Sequence, residues 1–187
     1  MRSISPPSEP LSDGQISLRP AAERDIPEIL IAYQDDPELH VCLGEDRPPS
    51  GAQLGRRMEA AQADMDQGLS IRLTITVDGS DDCAGQITVH EFEWQQSRAE
   101  IGIWVAPQLR NRGVARRALS LAAPWLFDTF ELRRIALLTE PDNEPLLHAA
   151  RGAGFVHEGL LRAYMRRRGS RVDMAVLSLT PSDLRQP

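Results

Sequence analysis

Residues 98–119, RAEIGIWVAPQLRNRGVARRAL, change their hydrophobic period in mid-stretch. Ile101, Ile103 and Val105 alternate with Glu100, Gly102 and Trp104, the two-residue repeat of a strand with one apolar face. Pro107 cannot donate to a ladder and closes that strand. After Gly113 the apolar residues recur at helical spacing, for a helix of about four turns. A strand that hands over to a long amphipathic helix across so short a junction commits the chain to a layered architecture of sheet and helix. The junction carries Arg110, Arg112, Arg116 and Arg117 and no acid, although the chain has a formal net charge of −6.

The flanking sequence completes the layers. Ile16 and Leu18 alternate in a short first strand. Ile26, Ile29, Leu30 and Tyr33 mark a helix, with Asp25 and Glu28 spaced as a capping box and DDP ending it. Ser50 and Gln53 form a second capping pair, before an apolar stripe of Leu54, Met58, Ala61 and Met65 that Gly68 stops; the methionines read as core fillers. Leu69 to Val77 alternate as a strand, DGSDD turns the chain, and Ile87 and Val89 continue in the next strand. Pro124 inside the long helix predicts a kink or break near Ser120. RRIALLT is a compact strand, Asn143 the expected cap of a short helix, and the last two strands meet near Gly169. The fold class expected is mixed α/β (α+β), with a largely antiparallel central sheet flanked by helices. Residues 1–14, polar and proline-rich, are expected as a disordered lead-in, 15–181 as a single domain, and 182–187 as a short tail.

Composition narrows the chemistry. The 187 residues suffice for one buried core. No apolar run approaches the roughly 20 residues of a membrane span, and the N-terminus lacks the apolar centre of a secretory signal. Cys42 and Cys83, far apart, read as reduced thiols, so a cytoplasmic protein is expected. The four histidines have no zinc-ligand spacing and no metal site is expected. All 21 basic residues are arginine. With no lysine there is neither a Schiff-base residue nor a Walker-type phosphate ligand. Phosphate must be held by arginine, backbone N–H groups, or both.

The arginine-rich junction offers both. A helix start presents unpaired N–H groups and the positive end of the macrodipole, Gly113 leaves room for a close backbone approach, and arginine pairs with phosphate bidentately. RNRGVA resembles the Arg/Gln-x-x-Gly-x-Gly/Ala motif of the GNAT acyltransferases. AEIGIWVAPQLRNRGVARRAL, LRRIALLTEPDN and GAGFVHEGLLRAY, in that order, resemble the branch containing the ribosomal-protein N-terminal acetyltransferases. The resemblance covers roughly residues 16–179. It implies acetyl-CoA or another acyl-CoA as co-substrate, a primary-amine acceptor (a peptide N-terminus or a small molecule), direct attack in a ternary complex, and a homodimer. It implies a splay between the Trp104 strand and the Ile135–Thr139 strand that admits the cofactor, and a bulge that aims an N–H at the thioester carbonyl. Backbone groups of Trp104 and Val105 would pair with pantetheine. The segment Arg112, Gly113, Val114 and Ala115 would take the pyrophosphate, with Arg110 and Arg116 beside it, and the Asn143 side chain would hold pantetheine further along.

The proton-transfer positions of that pattern are replaced here: Leu138 stands where some relatives carry a general-base glutamate, Ala150 where they carry a tyrosine acid, and Leu146 where a serine follows the asparagine. Glu100, on the cofactor strand and on the face of Trp104, is the first candidate base; its alternative role is a strand carboxylate paired with an arginine. His90 and Glu91 come next, histidine titrating near neutral pH by its ordinary value. His148 reads as a helix-surface residue. Arg162, Tyr164 and Asp173 either shape the acceptor site or belong to the terminal hairpin. An α-amine (pKa about 8) is roughly a tenth neutral at pH 7, so it needs less help from a base than a lysine amine does. Besides a catalytic transferase, the residues also accommodate an acyl-CoA-binding sensor or scaffold without catalysis. Nucleic acid is disfavoured by the acidic balance and the few aromatics.

Overall fold

The computed structural model describes residues 2–77, 79–167 and 169–185, with the backbone alone described at Arg185. Met1, Asp78, Arg168, Gln186 and Pro187, which fall in the expected lead-in, turns and tail, lie outside the described residues. Among these, the strands are β1 (Leu11–Ser12), β2 (Ile16–Pro20), β3 (Ile71–Val77), β4 (Gly85–Glu93), β5 (Arg98–Val105), β6 (Arg134–Thr139), β7 (Val156–Arg167) and β8 (Ser170–Leu179). They form one sheet in the order β1-β2-β3-β4-β5-β6-β8-β7. Every neighbouring pair is antiparallel except β5–β6. The helices are α1 (Ile26–Asp35), α2 (Leu39–Cys42), α3 (Gly51–Asp66), α4 (Val114–Phe130) and α5 (Glu144–Gly152). None is long and apolar enough to cross a membrane, among the described residues.

The period-two pattern separates the two faces of the sheet. Ile71, Leu73 and Ile75 of β3, Ile87 and Val89 of β4 and Ile101 of β5 join α4 and α5 in the main core, with Ala118, Leu119, Ala122 and Leu126 fully buried. The opposite face meets α1 and α3 through a smaller cluster of Ile29, Tyr33, Leu39, Leu54 and Cys83, against which Met58 and Trp104 pack. Met65 packs against the main core, so both methionines fill gaps between layers.

Several local expectations are corrected. In the N-terminal segment, expected as a lead-in, Ile4 is 3% exposed and its N–H donates to the Met65 carbonyl at 2.8 Å, while Leu11 and Ser12 pair with Leu18 and Ser17. Its prolines and serines conceal two apolar residues that find slots at the end of α3 and the edge of β2. The Asp25–Glu28 capping box does not form. Asp25 turns inward, 1% exposed, to accept hydrogen bonds from Arg19 (2.6 and 3.1 Å), the Thr74 hydroxyl (2.6 Å) and the Ala22 N–H (2.9 Å). Burial pushes its pKa up, but the bonds from Arg19, Thr74 and Ala22 outweigh that and hold it below the usual carboxylate range. The helix α4 runs unbroken through Pro124. The short helix α2 was not visible in the periodicity. The Ser50–Gln53 capping box forms as read, with Ser50 N–H donating to Gln53 Oε1 at 2.8 Å.

Candidate active site

Among the described residues, the only parallel pair in the sheet is also the shortest central one. β5 and β6 pair at Arg98–Arg134, Ala99–Ile135 and Glu100–Ala136, and there the register ends. Both strands continue, β5 to Val105 and β6 to Thr139, so residues 101–105 keep β4 on one side and lose the ladder on the other. This is the splay implied by the resemblance. The resemblance implies a bulge as well. The pair β4–β5 is in regular register from Gly85–Val105 to His90–Glu100, and its one shift falls on β4 between His90 and Glu93, where Glu91 has φ +51°.

The splay opens into a cleft of about 1490 Å³ that runs between the helix layer α1–α3 and the start of α4 and α5. At its outer end the chain leaves β5, makes a 3-10 turn at Pro107–Leu109 and enters α4 through two left-handed residues, Asn111 (φ +60°) and Gly113 (φ +77°). Gly113 is the N-cap, and the first helical bond of α4 runs from the Arg117 N–H to its carbonyl at 3.0 Å. The N–H groups of Val114, Ala115 and Arg116 therefore precede the ladder, at the positive end of a 17-residue helix. A Cβ on Gly113 would meet no protein atom within 4 Å, so the left-handed backbone, rather than crowding by the protein, requires glycine here. Asn111, which composition did not single out, lines the cleft beside Gly113; its signal is that asparagine tolerates the left-handed region.

The named arginines divide. Arg110 and Arg116 line the cleft. Arg110 donates from Nε to the Val105 carbonyl (3.0 Å) and pairs with Asp36, the C-cap of α1 (2.6 Å), locking the end of β5 to the helix layer. Arg112 is exposed and outside the cleft lining, and Arg117 pairs with Asp13 of the β1–β2 turn at 2.7 Å. Trp104, Val105, Val114 and Ala115 all line the cleft. Asn143 caps α5: its Oδ1 accepts from the Leu146 N–H (3.4 Å) and its Nδ2 donates to Thr139 Oγ1 (2.9 Å). It lines the cleft, and its side chain ties the end of β6 to α5.

At the inner end, His90 lines the cleft and Glu100 does not. The two face each other across β4–β5, two rungs from Thr88–Gly102, whose residues also line the cleft. Glu100 forms no ion pair among the described residues, so its alternative as an arginine-paired carboxylate is not seen. Burial raises its pKa, opposed by the His90 charge and helped by Glu91. Of the replaced positions, Leu138 and Leu146 line the cleft, whereas Ala150 is fully buried in the core. His148 is exposed on α5 but also lines the cleft. Arg162, Tyr164 and Asp173 do not line it; Asp173 accepts from the Ala163 N–H (2.7 Å) within the terminal hairpin, and Met165, Arg166 and Arg167 reach the cleft instead. No group of three or more metal-ligating side chains occurs among the described residues.

The roof over the inner end is polar. Tyr33 of α1 donates to Glu45 (3.3 Å), and Arg57 of α3 is ion-paired with the same carboxylate. Burial, and then the Glu45 charge, raise the Tyr33 pKa, so the phenol stays protonated at neutral pH. Behind it, burial pushes the Cys83 thiol up to about 12, which leaves it inert.

Comparison with known proteins agrees with this geometry. The sequence model of the acetyltransferase (GNAT) domain matches residues 15–156. An uncharacterized N-acetyltransferase, p20, from Bacillus licheniformis is 27% identical over 172 residues, 91% of this chain and 96% of that one. The spermidine N(1)-acetyltransferase of Escherichia coli K12 is 32% identical over 90 residues, 48% of this chain and 47% of that protein. The structure of Mycobacterium smegmatis RimJ in complex with CoA-disulfide superposes with a TM-score of 0.84 at 26% identity, covering 95% of this chain and 88% of the other. The matched region holds the splayed strands, the left-handed junction and the start of α4 together in one unit, and the chain belongs to the GNAT family of N-acetyltransferases, which draw their acetyl group from acetyl-CoA.

Proposed function

We propose that this chain acetylates a primary amine, a peptide N-terminal α-amine or a small-molecule amine, by direct attack within a ternary complex. The observation that carries the reading is the single cleft with a phosphate cradle at one end and His90 at the other, joined by the open edge of β5. The residues fit the cofactor. The N–H groups of Val114, Ala115 and Arg116 take pyrophosphate, with Arg116 beside them, and the unladdered backbone of residues 101–105 pairs with pantetheine as an added strand would. Bound acetyl-CoA supplies the acetyl group as a thioester. The backbone of β5 near Gly102 would hold the thioester carbonyl, and His90 takes a proton from the acceptor ammonium so that the neutral amine can attack, with Glu100 opposite it to stabilise the imidazolium. Arg110 acts on the cleft indirectly, through its bonds to Val105 and Asp36. Ala150 is buried, so proton return to the departing thiolate falls to His148 or to water.

The test is thermal unfolding with acetyl-CoA, CoA or ATP, followed by release of free CoA with a panel of amines. A ligand at about 100 times its dissociation constant adds roughly 2.7 kcal/mol of apparent stability. Stabilisation by both CoA species and not by ATP, with amine-dependent CoA release, supports the reading. Stabilisation without release from any amine leaves a binding protein and removes the transfer step.

A further inference from the structure

Among the charged groups in the cleft that the reading above does not use, Arg72 stands apart. On β3, Arg72, Thr74 and Thr76 point away from the main core, toward α1 and α3. Thr74 is bound to Asp25, but Arg72 is different. It is half-buried, lines the cleft, and stands opposite Thr88, which itself stands opposite Gly102. That row is next to the His90–Glu100 pair. Among the described residues its guanidinium has neither a hydrogen bond nor an ion pair. The carboxylates near enough to act on it are already engaged: Glu45 with Arg57 and Tyr33, and Asp64 with the Ser70 hydroxyl at 3.3 Å. Burial, and then the neighbouring Arg57 charge, pull its pKa below the ordinary arginine value. Of the other arginines in the cleft, Arg57, Arg110 and Arg167 have partners, and Arg116 and Arg166 stand in water. A half-buried guanidinium that lines the cleft without a protein acceptor is open to a ligand that supplies one.

The cofactor's phosphates are not that ligand. Arg72 is in the row of Gly102, three residues along β5 from Val105, a separation of about 10 Å before the chain even turns toward Gly113. Resting on the transferase reading above, we infer that Arg72 is a specificity residue for the acceptor, and that the acceptor carries a carboxylate or phosphate close to its reacting amine. The anion and the guanidinium pair through two N–H···O bonds, which fixes the amine between the roof of Tyr33 and Glu45 and the His90 rung. A purely cationic polyamine offers Arg72 no partner.

The experiment compares kcat/KM for matched acceptors that differ only in the anion: β-alanine against its amide, O-phosphoethanolamine against ethanolamine, and a Ser-Asp against a Ser-Asn peptide, with spermidine as the polycation. The wild-type protein is expected to favour the anionic member of at least one pair by about ten- to a hundredfold. Arg72→Gln brings that ratio to within about twofold of one, with the KM for acetyl-CoA unchanged. The pair that responds tells carboxylate from phosphate. Preference for the neutral members or for spermidine, or an unchanged ratio in Arg72→Gln, overturns the inference. Should no amine release CoA, the transfer reading itself fails. The anion subsite is then decided by unfolding of the CoA-saturated protein in inorganic phosphate and in acetate: stabilisation lost in Arg72→Gln upholds it, and identical curves refute it.

Discussion

Asp25→Ala removes the carboxylate around which β2, the start of α1 and the cleft face of β3 are organised. Four hydrogen bonds converge on it in a position that is 1% exposed. Removing one member of a buried ion pair costs about 3–5 kcal/mol, because the other charge stays in the interior. Arg19, with 8% of its side chain exposed, keeps Asp81 on its Nε at 2.6 Å and the Asp81 and Pro20 carbonyls at 2.7 and 3.1 Å. That residual satisfaction places the loss at the lower end, about 3 kcal/mol. For a domain of this size it lowers Tm by about 6–12 °C. Urea unfolding at pH 7, followed by tryptophan fluorescence, measures it as a fall in midpoint at unchanged slope. A double variant, Arg19→Met with Asp25→Leu, is expected to recover part of the loss, since it removes both charges together. A single-variant loss below about 1 kcal/mol would refute the account and assign the junction's stability to apolar packing alone.

Gly113→Glu places a carboxylate and a strained left-handed residue at the phosphate cradle, and is expected to abolish the stabilisation by acetyl-CoA while the ligand-free protein still unfolds cooperatively; undiminished stabilisation would move the cradle elsewhere. His90→Gln should lower kcat more than Glu100→Gln does, with little change in the KM for acetyl-CoA, and the reverse order would restore Glu100 as the base. Asn143→Ala removes the cap of α5 and its tie to Thr139, costing about 1 kcal/mol of stability in chemical denaturation. Acid titration adds a fourth check. The Ile16 N–H holds Asp13, and the Arg134 and Ser178 side chains hold Glu158, each at a pKa of about 2. Lowered carboxylate pKa values contribute stability that is complete above the ordinary values of 3.8 and 4.5 and lost as pH falls toward 2. The unfolding midpoint should therefore drop across that window, and less steeply in Glu158→Gln.

Patterns that depend on the chain's own neighbours were legible in the sequence. The alternation of Ile71 to Val77 and of Ile101 to Val105 gave β3 and β5, and Ser50 and Asn143 stand where they were read as caps. Features decided by distant neighbours were not legible. Asp25 has the spacing of a cap, but Arg19 and Thr74 outbid the helix start for its carboxylate, and only tertiary structure brings them together. Glu100 and His90 lie ten residues apart in sequence, and register alone makes them opposite; which of them reaches the cleft depends on the shape of its walls. Arg72 was not singled out, because nothing in IRLTITV shows that helices cover that face of the strand. Arg112 belongs to the motif by spacing, and its exposed side chain lies outside the cleft lining, between the left-handed residues Asn111 and Gly113.

The three-residue contact between β5 and β6 has a mechanical meaning too. On one side lie five strands in sequence order, and on the other a group of three, with a short seam between them. A ligand laid along the open edge of β5 lengthens that seam from within, as mortar fills a joint, so the sheet is a continuous plate only when the cofactor is part of it. The splay-facing amides of residues 101–105, which lack a β6 partner, should then exchange faster in the empty protein and slow together on binding, the two halves of the molecule stiffening as one.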